Sequence, residues 1–375
     1  MSERVLVTGG AGFVGSHVVD DLLEAGYEVT VYDTLVDQVH DGRPDYLTDE
    51  AAFVEADIRD DDALREALRE ADILSHQAAA VGVGQSMYEI EEYVDVNTLG
   101  TAKLLDIVVN DDAVDLDKMV VASSMSLYGE GQYRCEDCDG VKNPELRPED
   151  QLERGDWETR CPDCGAELAP VATPESKPAQ PTSVYAITKK DQEELCLSVG
   201  RAYDIPVVAL RYFNIYGSRQ ALDNPYTGVC AIFSSRIKND RPPLIFEDGE
   251  QTRDFIHVSD IARANRLAIE REDANMEAIN VGTGTPTTVN EVADALIELY
   301  GKEDDLSPKI AGEFRAGDIR HAYADTTKAE ELLGFEAEVE FSEGLQELAA
   351  WAKEQDSMDM FDDAYDELEE KGLVD

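Results

Sequence analysis

The segment VTGGAGFVGSH near the N-terminus constrains the fold more than any other part of the chain. It follows an apolar run, opens a helical pattern, and places Gly10, Gly12 and Gly15 in the spacing Gly-x-Gly-x-x-Gly. In that spacing the first glycine permits a tight turn, the second lets a pyrophosphate approach the backbone, and the third lets the helix lie close to the sheet. Because a Gly-rich turn alone is weak evidence, the surrounding pattern decides the interpretation.

Strand and helix patterns alternate over the first 125 residues. Uniformly apolar runs such as RVLVT, EVTVYD and KMVVASS are separated by amphipathic helical patterns. This alternation is typical of parallel strands buried on both faces, and it predicts an α/β fold with a doubly wound parallel (Rossmann) sheet. Helices are predicted at Val96–Val109, Val184–Tyr203, Val258–Arg271 and Val289–Tyr300.

Two acidic residues follow predicted strands in this region. Asp33 ends the second strand, where a carboxylate accepts hydrogen bonds from the ribose hydroxyls of a dinucleotide and repels a 2′-phosphate. The predicted cofactor is therefore NAD and not NADP. Asp57 and Ile58 end the third strand, where an adenine edge would be read, although an Asp there would equally cap the next helix.

The chain is expected to divide into five segments. Residues 1–129 form an NAD-binding core, 130–178 a zinc-ribbon-like insertion, 179–216 the continued core with a catalytic helix, 217–355 mainly a smaller α/β substrate lobe, and 356–375 an acidic helix or tail.

The net charge is −50, from 82 acidic and 32 basic residues. Such a surface repels phosphate backbones and anionic membranes, which argues against nucleic-acid and membrane partners. The acids are scattered through ordered segments, and we interpret them as a solvated coat suited to a salt-accumulating, halophilic cytoplasm. The N-terminus lacks the pattern of a signal peptide and no apolar run would span a bilayer, so a cytoplasmic location is expected.

Tyr185 and Lys189, in SVYAITK, stand at i and i+4 and therefore share one face of a helix. A lysine ammonium beside a phenol lowers the pKa of the phenol, so that it takes a proton from an alcohol. Upstream, the strand VVASS ends in hydroxyls at Ser123 and Ser124, followed by Ser126, and each is a candidate to hold a substrate oxygen.

Many motifs occur in one order along the chain: TGGAGFVGSH, DIRD, HQAA, VNTLGT, SSMSLYG, YAITK, RYFNIYG, RDFIHVSDIA, NVGTG and RAGDIRHAYAD. Together they resemble the extended short-chain dehydrogenase/reductase family, specifically its NDP-sugar epimerases and dehydratases. The resemblance implies that Tyr185 is the acid/base, that Lys189 is its pKa partner and a ligand of the nicotinamide ribose, and that Ser124 holds the sugar O4. It also implies a homodimer. The cofactor-binding residues that it implies are Gly9, Gly10, Gly12, Phe13, Val14, Gly15, Asp33, Asp57, Ile58, Ala78, Tyr185 and Lys189.

One departure from the family selects among its reactions. The 4,6-dehydratases carry an Asp-Glu pair directly after the Ser124 position, whereas this chain has Met125 and Ser126. Neither side chain is a general acid or base near neutral pH. The expected activity is therefore NAD-dependent NDP-sugar 4-epimerisation, by transient oxidation at C4 and return of hydride to the other face of the sugar.

The substrate's diphosphate requires cations. By resemblance, Arg253 and Arg315 clamp it and Asn214 hydrogen-bonds the same phosphates, with the bidentate geometry that suits arginine. The alternatives are ion pairs of Arg253 with Asp254 and of Arg315 with Asp318. His76 is expected to pack at its strand end and not to act in catalysis.

Two Cys-x-x-Cys pairs, Cys135 with Cys138 and Cys161 with Cys164, are separated by a spacing near that of zinc ribbons. They predict a closed, structural zinc site beside the mouth of the active site; iron at the same sulfurs and redox-active pairs are the alternatives. Cys196 and Cys230 are expected to be buried thiols.

A Cys-paired insertion with similar surroundings occurs in TDP-L-rhamnose 4-epimerase-like members of the family. The leading substrate is accordingly a deoxyTDP-6-deoxyhexose such as TDP-L-rhamnose. The alternatives are a UDP-hexose or UDP-uronate 4-epimerase, then a 4,6-dehydratase, and, outside enzymes, an NAD-sensing docking protein.

Overall fold

The computed structural model describes residues 2–40, 42–315 and 317–374. The strands are β1 (Arg4–Thr8), β2 (Glu28–Asp33), β3 (Ala52–Glu55), β4 (Ile73–His76), β5 (Lys118–Ser124), β6 (Gln132–Cys135), β7 (Gly140–Lys142), β8 (Ala169–Val171), β9 (Val207–Tyr212), β10 (Asn214–Tyr216), β11 (Leu244–Ile245), β12 (Thr252–His257), β13 (Glu277–Val281), β14 (Pro286–Thr288), β15 (Lys309–Ile310) and β16 (His321–Ala322). The helices are α1 (Phe13–Glu24), α2 (Asp61–Arg69), α3 (Ile90–Tyr93), α4 (Gly100–Asn110), α5 (Glu149–Leu152), α6 (Val184–Tyr203), α7 (Val229–Lys238), α8 (Val258–Glu270), α9 (Val289–Tyr300), α10 (Thr327–Leu333), α11 (Phe341–Glu354) and α12 (Phe361–Glu370).

Seven parallel strands form the main sheet in the order β13-β9-β5-β4-β1-β2-β3. The order runs outward from β1 in both directions, which is the doubly wound arrangement that the sequence predicts. The strands read as continuous apolar runs because helices cover both faces. The carboxyl ends of β1, β4, β5 and β9 therefore meet along one edge, which is the edge where doubly wound sheets bind their ligands.

The two faces of the sheet carry separate hydrophobic cores. On one face, α1 and α8 pack over β1 and β9 through residues such as Val18, Leu22 and Ile261. On the other face, α2, α4 and α6 pack through Leu64, Leu104 and Cys196. Cys196 is the buried thiol that the sequence predicts.

The predicted helix at Val96–Val109 differs from the observed one. Residues Val94–Leu99 form a π-helical segment, and the regular helix α4 begins only at Gly100. A Cβ at position 100 would lie 2.8 Å from Ile58 Cγ2, so the glycine allows the helix to approach the strand end closely. By contrast, α6 and α9 have the predicted bounds, Val184–Tyr203 and Val289–Tyr300.

A smaller sheet forms the C-terminal part, with β12 between β10 and β14 and with β16 also paired to β12. Its core, shared with α7, α9 and α11, includes the other buried thiol, Cys230. The range 217–355 does not lie wholly in this part, because α8 and β13 return to the main sheet. This return depends on long-range packing, which local sequence patterns do not reveal.

The range 130–178 contains a three-stranded antiparallel sheet, β7-β6-β8, and the short helix α5. The acidic end of the chain forms α12. Its Tyr365 stacks on Phe246 with ring centroids 6.1 Å apart, and Leu368 is buried beside them. Within the described residues, no helix combines the length and the apolar character needed to cross a membrane.

Candidate active site

Gly9, Gly10 and Gly12 lie in the loop between β1 and α1, Gly15 lies in the first turn of α1, and packing requires three of these four glycines. A Cβ on Gly9 would lie 2.7 Å from the Ala78 amide nitrogen, one on Gly10 would lie 2.9 Å from the Val7 carbonyl oxygen, and one on Gly15 would overlap the Gly9 carbonyl oxygen. Gly12 differs, since a Cβ there would meet only the Gly9 oxygen, at 3.4 Å. Its φ of −70° suits any residue. Packing within the protein therefore gives no steric reason for a glycine at position 12.

The same residue is the N-cap of α1, and no side chain caps this helix. Its first backbone N–H groups, beginning at Phe13 and Val14, are therefore available to an anion, and the helix dipole favours negative charge there. An open helix N-terminus with a bare Gly12 backbone fits the pyrophosphate of a dinucleotide. When bound, NAD supplies the hydride acceptor for an alcohol at this edge of the sheet.

Asp33 lies at the end of β2 and is 9% exposed. Its carboxylate accepts hydrogen bonds from the amides of Ala11 and Leu35, each at 2.9 Å. It therefore holds the glycine loop in place. A carboxylate has further acceptor positions, so this role is compatible with the predicted contact to ribose hydroxyls.

Asp57 forms an ion pair with Arg59, a residue that the sequence motifs do not point to. The Arg59 guanidinium donates to both carboxylate oxygens, at 2.8 and 2.7 Å, and lowers the pKa of Asp57. The suggested capping role is wrong, because Asp60 caps α2 through the amides of Asp62 and Ala63. Ile58 is buried in the core of the same face.

Ser124 and Tyr185 come together at the carboxyl end of β5, although 61 positions separate them in sequence. Burial raises the pKa of Tyr185 to about 12, and a hydrogen bond with the Ser124 side chain opposes this rise. The Ser126 hydroxyl lies 2.9 Å from the Ser124 hydroxyl oxygen. Ser123 points away and donates to Glu193 at 2.6 Å. Of the three candidate hydroxyls, Ser124 is therefore the one beside the phenol, with Ser126 behind it.

The predicted lowering of the Tyr185 pKa by Lys189 stays a prediction, because burial is the main influence on the pKa of both side chains in this structure. Burial lowers the pKa of Lys189 to about 7, so its amine is only partly charged near neutral pH. The amine donates to Gln192 Oε1 at 2.7 Å. Burial thus acts on both groups in the direction that favours their neutral forms.

Gln192 and Asn97 support this region, although their sequence motifs gave no sign of that role. The Gln192 amide donates to Thr101 Oγ1 at 2.9 Å. Asn97, from the π-helical segment, donates to Thr188 Oγ1 on α6 at 2.9 Å and accepts from the Ala80 amide at 2.7 Å. The motif VNTLGT contains Asn97, but it does not reveal that this stretch is π-helical. The hydrogen bond from Asn97 to α6 therefore could not be foreseen.

His76 packs at the end of β4, as predicted. It is 2% exposed, and its ring nitrogens lie 2.7 Å from Thr8 Oγ1 and 3.0 Å from Thr101 Oγ1. Burial, with a smaller contribution from Lys189, lowers its pKa to about 3. A neutral imidazole fixed between two hydroxyls has a structural role.

Arg253 donates to the backbone carbonyls of Thr252, Ile319 and Arg320, at 2.8, 2.7 and 3.0 Å. The alternative pairing with Asp254 is wrong, because that carboxylate is occupied by the amides of Thr283, Gly284 and Ala324. Within the described ranges Arg253 forms no ion pair, and burial lowers its pKa. Its charge is therefore available to an anion.

Arg315 does pair with Asp318, at 2.9 Å, as the alternative proposed. It is exposed, and its guanidinium lies 4.7 Å from the centre of the Phe246 ring. Asn214 begins β10, and its Oδ1 is buried without a hydrogen-bond partner in the part of the chain that the structure describes. Because burying an unpaired acceptor is costly, this oxygen is suited to accept a hydrogen bond from a ligand's hydroxyl or N–H group, whereas a phosphate oxygen needs a donor such as the amide nitrogen.

The four paired cysteines converge within residues 130–178. Their sulfur atoms all lie within 4.8 Å of one another, with Cys135 Sγ 3.7 Å from Cys164 Sγ and Cys161 Sγ 3.9 Å from Cys138 Sγ. Four thiolates at about 2.3 Å from a tetrahedral zinc ion would be about 3.8 Å apart. The arrangement is compatible with a metal centre and much too wide for disulfides.

Comparison with known proteins identifies the class. The NAD dependent epimerase/dehydratase family matches residues 5–148 and 164–282, so the chain belongs to that family. It is an NAD-dependent enzyme of the nucleotide-sugar epimerase class, as the sequence predicts, and the docking-protein alternative is set aside.

Individual relatives are similar over nearly their whole length. A dTDP-L-rhamnose 4-epimerase of Burkholderia thailandensis is 33% identical over 93% of this chain and 94% of that protein. The structure of a UDP-glucose 4-epimerase with UDP-glucose from Thermotoga maritima is 32% identical, with a TM-score of 0.74 over 93% of this chain and 98% of that one. A Thermus thermophilus UDP-glucose 4-epimerase complex with NAD is 31% identical, with a TM-score of 0.72 over 94% of this chain and 100% of that one.

Proposed function

We propose that this enzyme inverts C4 of a nucleoside diphosphate sugar. The observation that carries the proposal is the pairing of Tyr185 with Ser124 at the end of β5, beside an open dinucleotide site. Ser124 holds the C4 hydroxyl and Tyr185 accepts its proton, while NAD, when bound, would supply the acceptor for the C4 hydride. The 4-keto sugar then turns over and is reduced on its other face, with Tyr185 returning the proton.

The neighbours of Ser124 support inversion over dehydration. Met125 is buried and carries no ionisable group, and Ser126 donates toward the Ser124 hydroxyl. A 4,6-dehydratase needs an acid and a base near C6 and C5, and these two side chains supply neither.

Arg253, Arg315 and Asn214 are proposed to bind the diphosphate. Arg253 supplies a half-buried positive charge, Asn214 the N–H groups of its side-chain amide, and Arg315 an exposed guanidinium that would leave Asp318 to bind phosphate. Charge-assisted bonds from arginine are the strongest that a protein offers to phosphate.

The leading substrate is a deoxyTDP-6-deoxyhexose such as TDP-L-rhamnose. The Burkholderia relative named as a dTDP-L-rhamnose 4-epimerase supports this choice. The second candidate is a UDP-hexose or UDP-uronate, which the Thermotoga structure with UDP-glucose favours.

We also assign structural zinc to the four cysteines, since the two measured sulfur separations lie close to the tetrahedral value. Four protein ligands close such a site to substrate, so zinc would order the insertion.

A homodimer is proposed through α3, α4 and α6, which lie side by side. The apolar residues Ile90, Val94, Leu99 and Ile187 are 52%, 43%, 45% and 46% exposed on these helices and the π-helical segment. Burying these exposed apolar side chains favours association.

The test is incubation of the purified enzyme, in high salt, with dTDP- and UDP-sugars while C4 inversion is followed by NMR. Tyr185→Phe is expected to lower turnover by about 10²–10⁴-fold, the usual contribution of a positioned acid/base. The exposed Tyr203 supplies the matched control, Tyr203→Phe. Full turnover by Tyr185→Phe would contradict the mechanism.

A further inference from the structure

A cluster of buried charges joins the Cys-bearing insertion to the C-terminal part of the chain. The insertion contributes Glu130, Arg147 and Glu158, and the C-terminal part contributes Glu247, Asp248 and Arg320. Arg320 has no exposed surface and Arg147 is 6% exposed. Burying guanidinium groups is expensive unless they are paired and fully hydrogen-bonded, so the geometry of such a cluster is narrowly defined.

Arg320 is the centre of this cluster. Its guanidinium donates to Glu158 Oε1 at 3.0 and 2.6 Å, and to Asp248 at 2.7 and 3.0 Å. It also donates to Glu247 at 2.9 Å, and its backbone amide donates to Glu130 Oε1 at 2.8 Å. Both its side chain and its backbone are therefore held by residues of the insertion.

The backbone that this cluster holds is also the backbone that orients Arg253. The carbonyl oxygens of Ile319 and Arg320 accept from the Arg253 guanidinium at 2.7 and 3.0 Å. Because Arg253 has no ion pair within the described residues, these carbonyls and that of Thr252 fix where its remaining N–H groups point. A shift of residues 319–320 would move the guanidinium with them.

The cluster is continuous with the cysteines. Glu158 lies three residues before Cys161, and Tyr133 lies two residues before Cys135. The Tyr133 hydroxyl donates to Glu130 at 2.8 Å and accepts from Thr159 Oγ1 and from the His321 amide, each at 3.2 Å. Hydrogen bonds thus connect both arms of the cysteine centre to the strand that follows Arg320.

From this geometry we infer that the insertion positions Arg253 to bind the substrate's diphosphate. Glu158 and Glu130 are positioning residues that act through Arg320, and the cysteine centre keeps them ordered. The inference rests on the proposed function, in which Arg253 binds that diphosphate. It gives the insertion a role in substrate affinity, without contact between its cysteines and the substrate.

The experiment measures binding of UDP and dTDP to the full-length, NAD-loaded enzyme by calorimetry. Glu158→Gln keeps the side-chain shape but removes one of the three carboxylate charges that pair with Arg320, the one that the insertion supplies. We expect it to weaken nucleotide binding by about tenfold, within the range typical of coupling through packed networks. NAD content should stay unchanged, and in turnover the KM should rise by a larger factor than kcat falls. The matched control is Glu153→Gln, which makes the same change at an exposed position of the insertion.

The inference would be overturned if Glu158→Gln bound UDP and dTDP as tightly as Glu153→Gln does. It would also be overturned if Glu158→Gln lost NAD in parallel, because that loss would indicate general destabilisation. If Glu158→Gln does not fold, Tyr133→Phe decides, since it removes one hydroxyl from the same connection and should weaken UDP and dTDP binding in the same way. An unmodified enzyme that binds neither nucleotide would instead refute the proposed substrate class and, with it, this role for Arg253.

Discussion

Gly12 and Gly15 belong to one motif, yet the structure predicts different results for replacing each by alanine. At position 12 a Cβ meets only the Gly9 carbonyl oxygen at 3.4 Å, and φ is −70°. Alanine is a poorer N-cap than glycine, which lowers the stability of the folded protein. Alanine also reduces the conformational entropy of the unfolded chain, which raises stability by about 0.4–1 kcal/mol. These effects oppose each other, so the stability of cofactor-free Gly12→Ala should stay within about 1 kcal/mol of the parent.

NAD binding, unlike stability, should be clearly weakened by Gly12→Ala. The new methyl group would occupy the space through which the pyrophosphate approaches the backbone. Losing one hydrogen bond to a charged group costs about 1.5–3 kcal/mol. The NAD dissociation constant of Gly12→Ala should therefore rise by about 10- to 150-fold.

Gly15→Ala supplies the contrast. A Cβ there overlaps the Gly9 carbonyl oxygen and lies 2.8 Å from Gly10 Cα, and both are backbone atoms of the loop. Helix α1 must move away, which should cost about 1–3 kcal/mol of stability before any cofactor binds.

Urea denaturation of the cofactor-free proteins measures stability, and calorimetric titration with NAD measures affinity. The reasoning would be refuted if Gly12→Ala were as destabilised as Gly15→Ala, because the glycine would then serve the fold. Parental NAD affinity in Gly12→Ala would refute the placement of the pyrophosphate.

Three further predictions concern the metal, the salt response and pH. Elemental analysis should find about one zinc ion per chain, lost in Cys161→Ser but kept in Cys230→Ala; a metal-free protein of full stability would contradict the assignment. Because the net charge is −50, molar KCl should raise the thermal unfolding temperature by screening repulsion, and a protein most stable in dilute buffer would disprove the halophilic interpretation. Burial lowers the pKa of Lys189 to about 7 from the ordinary 10.5. The unfolded state therefore binds more protons between these values, and the stability of the cofactor-free parent relative to Lys189→Met should rise from pH 7 to pH 10.5. A difference in denaturation free energy that does not change with pH would contradict the burial of this amine.

Most of the core fold was predictable from local pattern. Uniformly apolar strands and amphipathic helices indicate a parallel sheet covered on both faces, and α6 and α9 have the predicted bounds. The π-helical segment before α4 was not predictable, because its hydrogen-bond register depends on how Asn97 and Gly100 pack against other parts of the chain.

The sequence by itself determined the chemical groups: the glycine loop, Ser124, Tyr185, Lys189 and the paired cysteines. Their order and spacing follow from local geometry and chemistry, which short motifs carry. Only the tertiary structure decided the pKa shifts of these groups and their contacts with residues far away in sequence. It placed Tyr185 where burial raises its pKa, and it paired the half-buried Glu158 with the fully buried Arg320, far away in sequence. Both results depend on which distant segments exclude water from a group or supply its partner, and no local pattern encodes that.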